Sequence, residues 1–299
     1  MIIPPALQQG DKVAIVATAR KITQQEIAPA IAWLEGLGLQ VVVGNSIGLV
    51  ERQFAGIDAE RLADLQQQLD DDSVRAIWCA RGGYGTVRLV DGIDWRGFDR
   101  APKWLCGFSD ITVLHAALQA RGYASIHSTM PVNVAETPES VASLGSLWEA
   151  LQGRQPGYPT DTIQWARGER LRGPLVGGNL SVLYSLLGSS TFPDLTGKVL
   201  FLEDLDEYLY HLDRMMVALR RAGKLEGLAG LLVGGLTQMN DNAIAFGRTA
   251  EQILFEAVSA YDYPVVFGMP AGHQALNLAL VMGADFELHH GVSSATLSL

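Results

Sequence analysis

Trp104-Leu105-Cys106-Gly107-Phe108-Ser109-Asp110-Ile111-Thr112 is an apolar run that stops at a serine and passes directly into a helical pattern. A strand that turns sharply into a helix exposes its turn residue and points backbone N–H groups at whatever binds beside it. The placement suits a nucleophile. It falls short of the G-x-S-x-G elbow, because Gly107 occupies the minus-two position but Ile111 the plus-two. On these residues alone, Ser109 reads either as a nucleophile or as a helix cap.

Working outward, strands and helices alternate. KVAIVAT at 12–18 reads as a buried parallel strand, followed by helical spacing in Ile27, Ala30, Ile31 and Leu34 despite Pro29, and a strand at 39–43. Asp58 reads as an N-cap for a helix presenting Leu62, Leu65 and Leu69. Strands at 74–80, 103–108 and 124–126, with a helix at 112–122, complete a series that implies a parallel sheet covered on both faces. The chain divides into an N-terminal α/β domain over 1–130, a linker over 131–172 with a helical stretch at 141–151, and a C-terminal α/β domain over 173–299. The last is expected to hold strands at 198–202, 229–234, 264–267, 276–282 and 295–299, with helices near 208–222 and 248–260, in a mixed sheet.

With 299 residues, 48% hydrophobic and 18% charged, the chain can bury a sizeable core. A net charge of −10 argues against nucleic acid or an anionic membrane as partner, since both need a basic face. No apolar run reaches the ~18 residues of a spanning helix. The start, with Pro4 and Pro5 before Asp11 and Lys12, does not resemble a secretory signal, so a cytoplasmic enzyme is expected. Cys79 and Cys106 lie in strand-like runs with no C-x-x-C pattern, consistent with a reducing compartment. Cys106 falls inside its strand, a poor setting for a reactive thiolate.

Four further stretches place glycine or charge beside strand ends. Arg81-Gly82-Gly83-Tyr84-Gly85 permits close backbone approach, for an oxyanion hole or merely a tight turn, and matches neither G-x-G-x-x-G nor a phosphate loop. Gly177-Gly178-Asn179-Leu180 allows two domains or a ligand to come close, with Asn179 a substrate contact or a helix cap. In Leu202-Glu203-Asp204-Leu205-Asp206-Glu207 the four carboxylates suit either a hard cation or, the reading preferred here, a division of work in which Asp206 caps the next helix, Glu207 complements its dipole, and Glu203 faces a cleft. Gly268-Met269-Pro270-Ala271-Gly272-His273 ends in a candidate general base, with His127 its competitor. His115, His211, His289 and His290 read as structural or solvated. Neither H-E-x-x-H nor a His and carboxylate pair at ligand spacing is present, so no metal is expected.

Together these five stretches, in this order, resemble the LD-carboxypeptidase family of serine peptidases, also called muramoyltetrapeptide carboxypeptidases. The resemblance implies an N-terminal parallel-sheet, flavodoxin-like domain and a C-terminal mixed α/β domain with the active site between them. It implies Ser109 as nucleophile, Glu203 and His273 as its partners, and an oxyanion hole from the backbone N–H groups of Asp110 and Gly83. Arg81 and Asn179 are candidates for substrate binding. The implied reaction releases the terminal D-alanine of cytoplasmic murein tetrapeptide in peptidoglycan recycling, by a homodimer needing no metal or organic cofactor. Some members instead confer immunity to a peptide-nucleotide antibiotic through aromatic residues ahead of the glutamate; the interval 180–201 here is short and lacks tryptophan. A rival of another class is a non-catalytic two-domain protein that holds a small ligand in its cleft.

Overall fold

In the computed structural model, residues 1–154, 156–159, 161–290 and 296–298 are described. The N-terminal half contributes β1 (Lys12–Val16), α1 (Gln24–Gly36), β2 (Gln40–Val43), α2 (Asp58–Asp70), β3 (Val74–Cys79), α3 (Arg96–Arg100), β4 (Trp104–Gly107), α4 (Thr112–Ala120) and β5 (Ser125–His127). Next come α5 (Pro138–Leu151), β6 (Gln164–Arg167), β7 (Arg170–Asn179), α6 (Leu180–Ser185), β8 (Val199–Leu205), α7 (Leu209–Arg221) and β9 (Gly230–Thr237). The chain ends with α8 (Ala250–Ala257), β10 (Val265–Phe267), β11 (Leu280–Met282), β12 (Asp285–His289) and β13 (Thr296–Ser298).

The first sheet runs β11-β5-β4-β3-β1-β2, all parallel except β11. Its parallel strands follow the flavodoxin-like order 2-1-3-4-5, in which ligands bind beyond the carboxyl ends near the point between β1 and β3 where the order reverses. Strand β1 is buried from Val13 onward and β4 throughout, which accounts for their continuous apolar runs. The second sheet runs β13-β12-β7-β8-β9-β10-β6 and is mixed, as expected. A single apolar cluster joins the two sheets, with Trp78 and Trp104 from the first and Leu175, Phe201 and Leu232 from the second. Separate clusters cover the outer faces.

Several elements differ from the sequence expectation. Asp58 is the first residue of α2 and not its cap; Ile57 holds that position, its N–H donating to Glu60 Oε2 at 2.8 Å. The Asp58 carboxylate is taken by Arg61 and Arg88. Nor does Asp206 cap α7, which begins at Leu209 behind Tyr208; Asp206 has φ +56° and accepts from Asn240 Nδ2. The span 131–172 carries α5, the edge strand β6 and the start of β7. Strand β11 returns from the C-terminal half to the first sheet, pairing antiparallel with β5. The strand expected at 295–299 is seen over Thr296–Ser298; positions 295 and 299 lie outside the described residues.

Candidate active site

Ser109 follows β4 directly, and the turn is held in a demanding backbone conformation. Gly107 has φ +150°, and a Cβ there would stand 2.9 Å from Ile111 Cγ1. Ser109 itself has φ +63°, a left-handed conformation costing about 1–2 kcal/mol for a residue with a Cβ. Strain of this kind presents a side chain outward from the end of a strand. The next residue, Asp110, turns inward: its buried carboxylate accepts from the Thr86 N–H at 2.9 Å, and burial raises its pKa. That bond ties the serine turn to the loop that follows β3. A Cβ on Gly82 would meet Ser109 Oγ at 3.2 Å and the Asp110 nitrogen at 3.4 Å, so the loop's backbone lies directly against the serine.

The other wall comes from the second sheet. Glu203 lies within β8 and is fully buried. Its Oε2 accepts from the His273 backbone N–H at 3.0 Å and is 2.7 Å from His273 Nδ1. His273 Nε2 is 3.1 Å from Ser109 Oγ. The histidine loop passes closely over the carboxylate because residue 272 is glycine, with φ +103°; a Cβ there would be 2.6 Å from Glu203 Oε2. Thr237 Oγ1 donates to the His273 carbonyl, Asn277 Oδ1 accepts from the Gly272 N–H, and the Phe108 ring packs 4.7 Å from the imidazole centre. Ser109, His273 and Glu203 thus come from three loops and strands far apart in the chain and form one connected row.

The competing groups are placed elsewhere. His127 is buried behind Phe108 and Phe201, with both ring nitrogens lacking a hydrogen-bond partner among the described residues; burial holds it neutral. His115 is pushed down to about 4 by burial and bonds Ser125 and the Gly107 carbonyl, bracing β4 from behind. Cys106 is buried within β4, and burial raises its thiol well above the ordinary range. The Asn179 side chain is spent within the protein: Oδ1 caps α6 at the Val182 N–H and accepts from Ser181 Oγ, and Nδ2 donates to Asp204. Gly178 answers its sequence reading as a point of close approach, since a Cβ there would be 2.6 Å from Thr112 Oγ1 of the first domain. Arg81 reaches the cleft but is 3.6 Å from Glu26.

Asp204 is a residue that the sequence reading did not single out. It is buried and accepts from Asn179 Nδ2 and the Ser181 and Leu205 N–H groups. Burial first, and then the adjacent Glu203 charge, push its pKa up to about 7 against those donors. A run of four carboxylates in five positions hid which of them are buried: Glu203 and Asp204 both are, beside an irregularity in the pairing of β8 with β9. The row of three side chains opens into a cleft of about 670 Å³ between the sheets. Arg20, Arg81, Gly82 and Gly83 line one side, and Asp204, Asp206 and Glu207 the other.

The architecture and sequence both have close parallels. Residues 13–128 match the LD-carboxypeptidase N-terminal domain, and residues 172–288 the LD-carboxypeptidase C-terminal domain. A probable murein peptide carboxypeptidase of Bacillus subtilis is 34% identical, over 98% of this chain and 93% of that protein. The murein tetrapeptide carboxypeptidase of Pseudomonas aeruginosa is 31% identical, over 91% of each. Among solved structures, muramoyltetrapeptide carboxypeptidase from Oxalobacter formigenes superposes with a TM-score of 0.81 at 25% identity, covering 96% of this chain and 97% of that one. The microcin C7 self immunity protein MccF superposes at 0.90 with 18% identity, covering 100% and 99%, a likeness of fold. No helix among the described residues is long and apolar enough to cross a membrane. Two domain matches that together span most of the sequence, and relatives aligned over nearly its full length, lead to one conclusion: this chain belongs to the LD-carboxypeptidase family.

Proposed function

We propose that this protein is a serine carboxypeptidase that releases the terminal D-alanine from murein tetrapeptide in cytoplasmic peptidoglycan recycling, acting as a homodimer without a metal or organic cofactor. The observation that carries the reading is the row Glu203–His273–Ser109, with contacts of 2.7 and 3.1 Å at the floor of the cleft. Nucleophile, base and orienting carboxylate stand at hydrogen-bonding distance in the order that acyl transfer requires. The named relatives supply the substrate class.

In this mechanism His273 Nε2 takes the Ser109 proton as Oγ attacks the carbonyl of the bond to D-alanine. Glu203 keeps the Nδ1 proton in place and stabilises the imidazolium. The tetrahedral oxyanion accepts from the backbone N–H groups of Asp110 and Gly83; removing one such donor costs about 3 kcal/mol of barrier. The imidazolium then protonates the departing amine, D-alanine leaves, and water, deprotonated by His273, attacks the acyl-enzyme to regenerate Ser109. Each proton taken by the histidine is returned, so the cycle closes.

The test is a chromatographic assay of D-alanine release from murein tetrapeptide, with a chelator arm, beside hydrolysis of an aminoacyl nucleotide analogue. Tetrapeptide turnover that survives chelator and is lost in Ser109→Ala supports the proposal. Preference for the nucleotide analogue assigns the immunity reaction instead. Retention of turnover in Ser109→Ala, or failure of a serine-directed phosphonate to label Ser109, removes the nucleophile and leaves a ligand-binding role.

A further inference from the structure

The cleft carries opposite charges on its two walls. Asp204, Asp206 and Glu207 lie on the side of the second sheet; Arg20 and Arg81 lie on the side of the first. Their situations differ. Arg81 is half-buried and compensated by Glu26 at 3.6 Å. No described carboxylate lies within ion-pair range of the exposed Arg20 side chain, and among the described residues it makes no hydrogen bond. An uncompensated guanidinium in an active-site cleft is a ready partner for a ligand carboxylate, which it can bind through two parallel hydrogen bonds.

Its position relative to the serine is fixed by the backbone. Arg20 follows β1 and Gly82–Gly83 follow β3, so the two loops flank the reversal point of the first sheet. The Arg20 N–H donates to the Gly82 carbonyl at 3.4 Å. The arginine stem then lies across Gly83: a Cβ on that residue would meet Arg20 Cδ at 2.5 Å and Nε at 2.7 Å. The two glycines thus serve different neighbours: Gly82 lies against Ser109, and Gly83, at φ +109°, leaves its α-carbon bare to make room for the arginine. In a carboxypeptidase substrate, the free carboxylate lies one residue, about 3.5 Å, beyond the scissile carbonyl. Arg20 packs on Gly83, the residue next to the Gly82 that lies against Ser109, so a cation stands on the loop that touches the serine.

We propose that Arg20 is the anchor for the free α-carboxylate of the leaving residue, and so restricts the enzyme to the chain terminus. This rests on the hydrolase reading above, and it directs the acyl portion of the peptide toward the acidic wall. An amide, or a further peptide bond, in place of the carboxylate would forfeit the ion pair.

The experiment uses the full-length chain in two backgrounds. In the Ser109→Ala protein, calorimetry compares murein tetrapeptide with its C-terminal amide; in the otherwise unaltered protein, kcat/KM is compared for the same two peptides. The acid is expected to be favoured by about 100-fold, the scale of a charge-assisted pair. Arg20→Ala should bring acid and amide to within about threefold, and Arg20→Lys should retain part of the preference. Persistence of the preference in Arg20→Ala, or equal loss on both peptides, overturns the proposal. If Ser109→Ala distinguishes the two peptides through Arg20 while the unaltered protein hydrolyses neither, the anchor stands and the hydrolase reading falls. If hydrolysis proceeds with a preference that ignores Arg20, the reverse holds.

Discussion

The two walls of the cleft hold Ser109 and His273 by different physical means. On the first sheet, Ser109 is held by backbone conformation: a left-handed serine between a glycine that tolerates no Cβ and a loop that touches its hydroxyl. On the second, His273 is held by hydrogen bonds, with both its ring and its backbone N–H engaged by one buried carboxylate. The first arrangement stores strain and the second does not. On the proposed mechanism, strain serves a nucleophile that must be presented at a fixed angle, whereas hydrogen bonds serve a base that must keep one tautomer and then carry a charge. The largest test of the second arrangement is Glu203→Gln. The amide preserves shape but can support the wrong tautomer, and kcat should fall by about 10³- to 10⁴-fold with little change in KM. A loss of less than tenfold would mean that Glu203 only fills space.

The corresponding test of the first wall is Gly82→Ala. The added methyl would stand 3.1 Å from Ser109 Cβ and 3.2 Å from Oγ, tight enough to displace the serine or the loop. A loss of about 100-fold in kcat is expected, comparable with losing one oxyanion donor, with phosphonate labelling of Ser109 slowed in parallel. Unchanged labelling would show that the glycine loop is free to retreat and does not define the oxyanion position.

The contrast extends to pH. Asp204, beside Glu203 on the hydrogen-bonded wall, titrates at about 7 in the folded protein, against about 3.9 when unfolded. The native state therefore binds the proton more tightly. Stability associated with this group is fully present below about pH 4 and is lost as pH rises through 7, with a slope of up to about 1.4 kcal/mol per pH unit between those values. Thermal unfolding of Asp204→Asn, followed from pH 4 to 8, should show a shallower decline than the unaltered protein. Parallel curves would mean that the three donors around Asp204 keep it ionised throughout. The slope is the readout, since an amide facing those donors also shifts the midpoint.

How far these arrangements were legible depended on whether the physics was local. Buried parallel strands announce themselves as apolar runs, so β1, β3 and β4, and hence the serine at the end of β4, were readable within a residue or two. Strand β7 was not, although Arg170, Leu171, Arg172 and Gly173 alternate between exposed and buried; Pro174 and three glycines break the apolar pattern, and two of those glycines, Gly177 and Gly178, stand where β8 and α4 approach closely. The return of β11 to the first sheet had no local signal, because three apolar residues fit either sheet. Asn179 and Arg81 were visible as polar groups near glycines, but their partners Asp204 and Glu26 are 25 and 55 positions away. Arg20 was missed because it follows β1 without a glycine beside it; only the fold shows that the relevant glycine, Gly83, comes from another loop.

The smallest expected effects separate the two walls most directly, because they are read in stability and not in turnover. Ser109→Gly removes a Cβ from a left-handed position, so it should raise the unfolding free energy relative to Ser109→Ala by about 1 kcal/mol, with both proteins inactive. His273→Ala should do the opposite. It strips the ring partner from a fully buried Glu203, whose Oε1 already has no hydrogen-bond partner among the described residues, and leaves one backbone N–H to satisfy the carboxylate. Such a loss costs about 1–3 kcal/mol. Chemical denaturation of the three proteins at one pH gives the comparison. If Ser109→Gly is no more stable than Ser109→Ala, the turn is not strained in solution and the serine is held by its neighbours instead. If His273→Ala costs nothing, water reaches Glu203 and the second wall is looser than its hydrogen bonds imply.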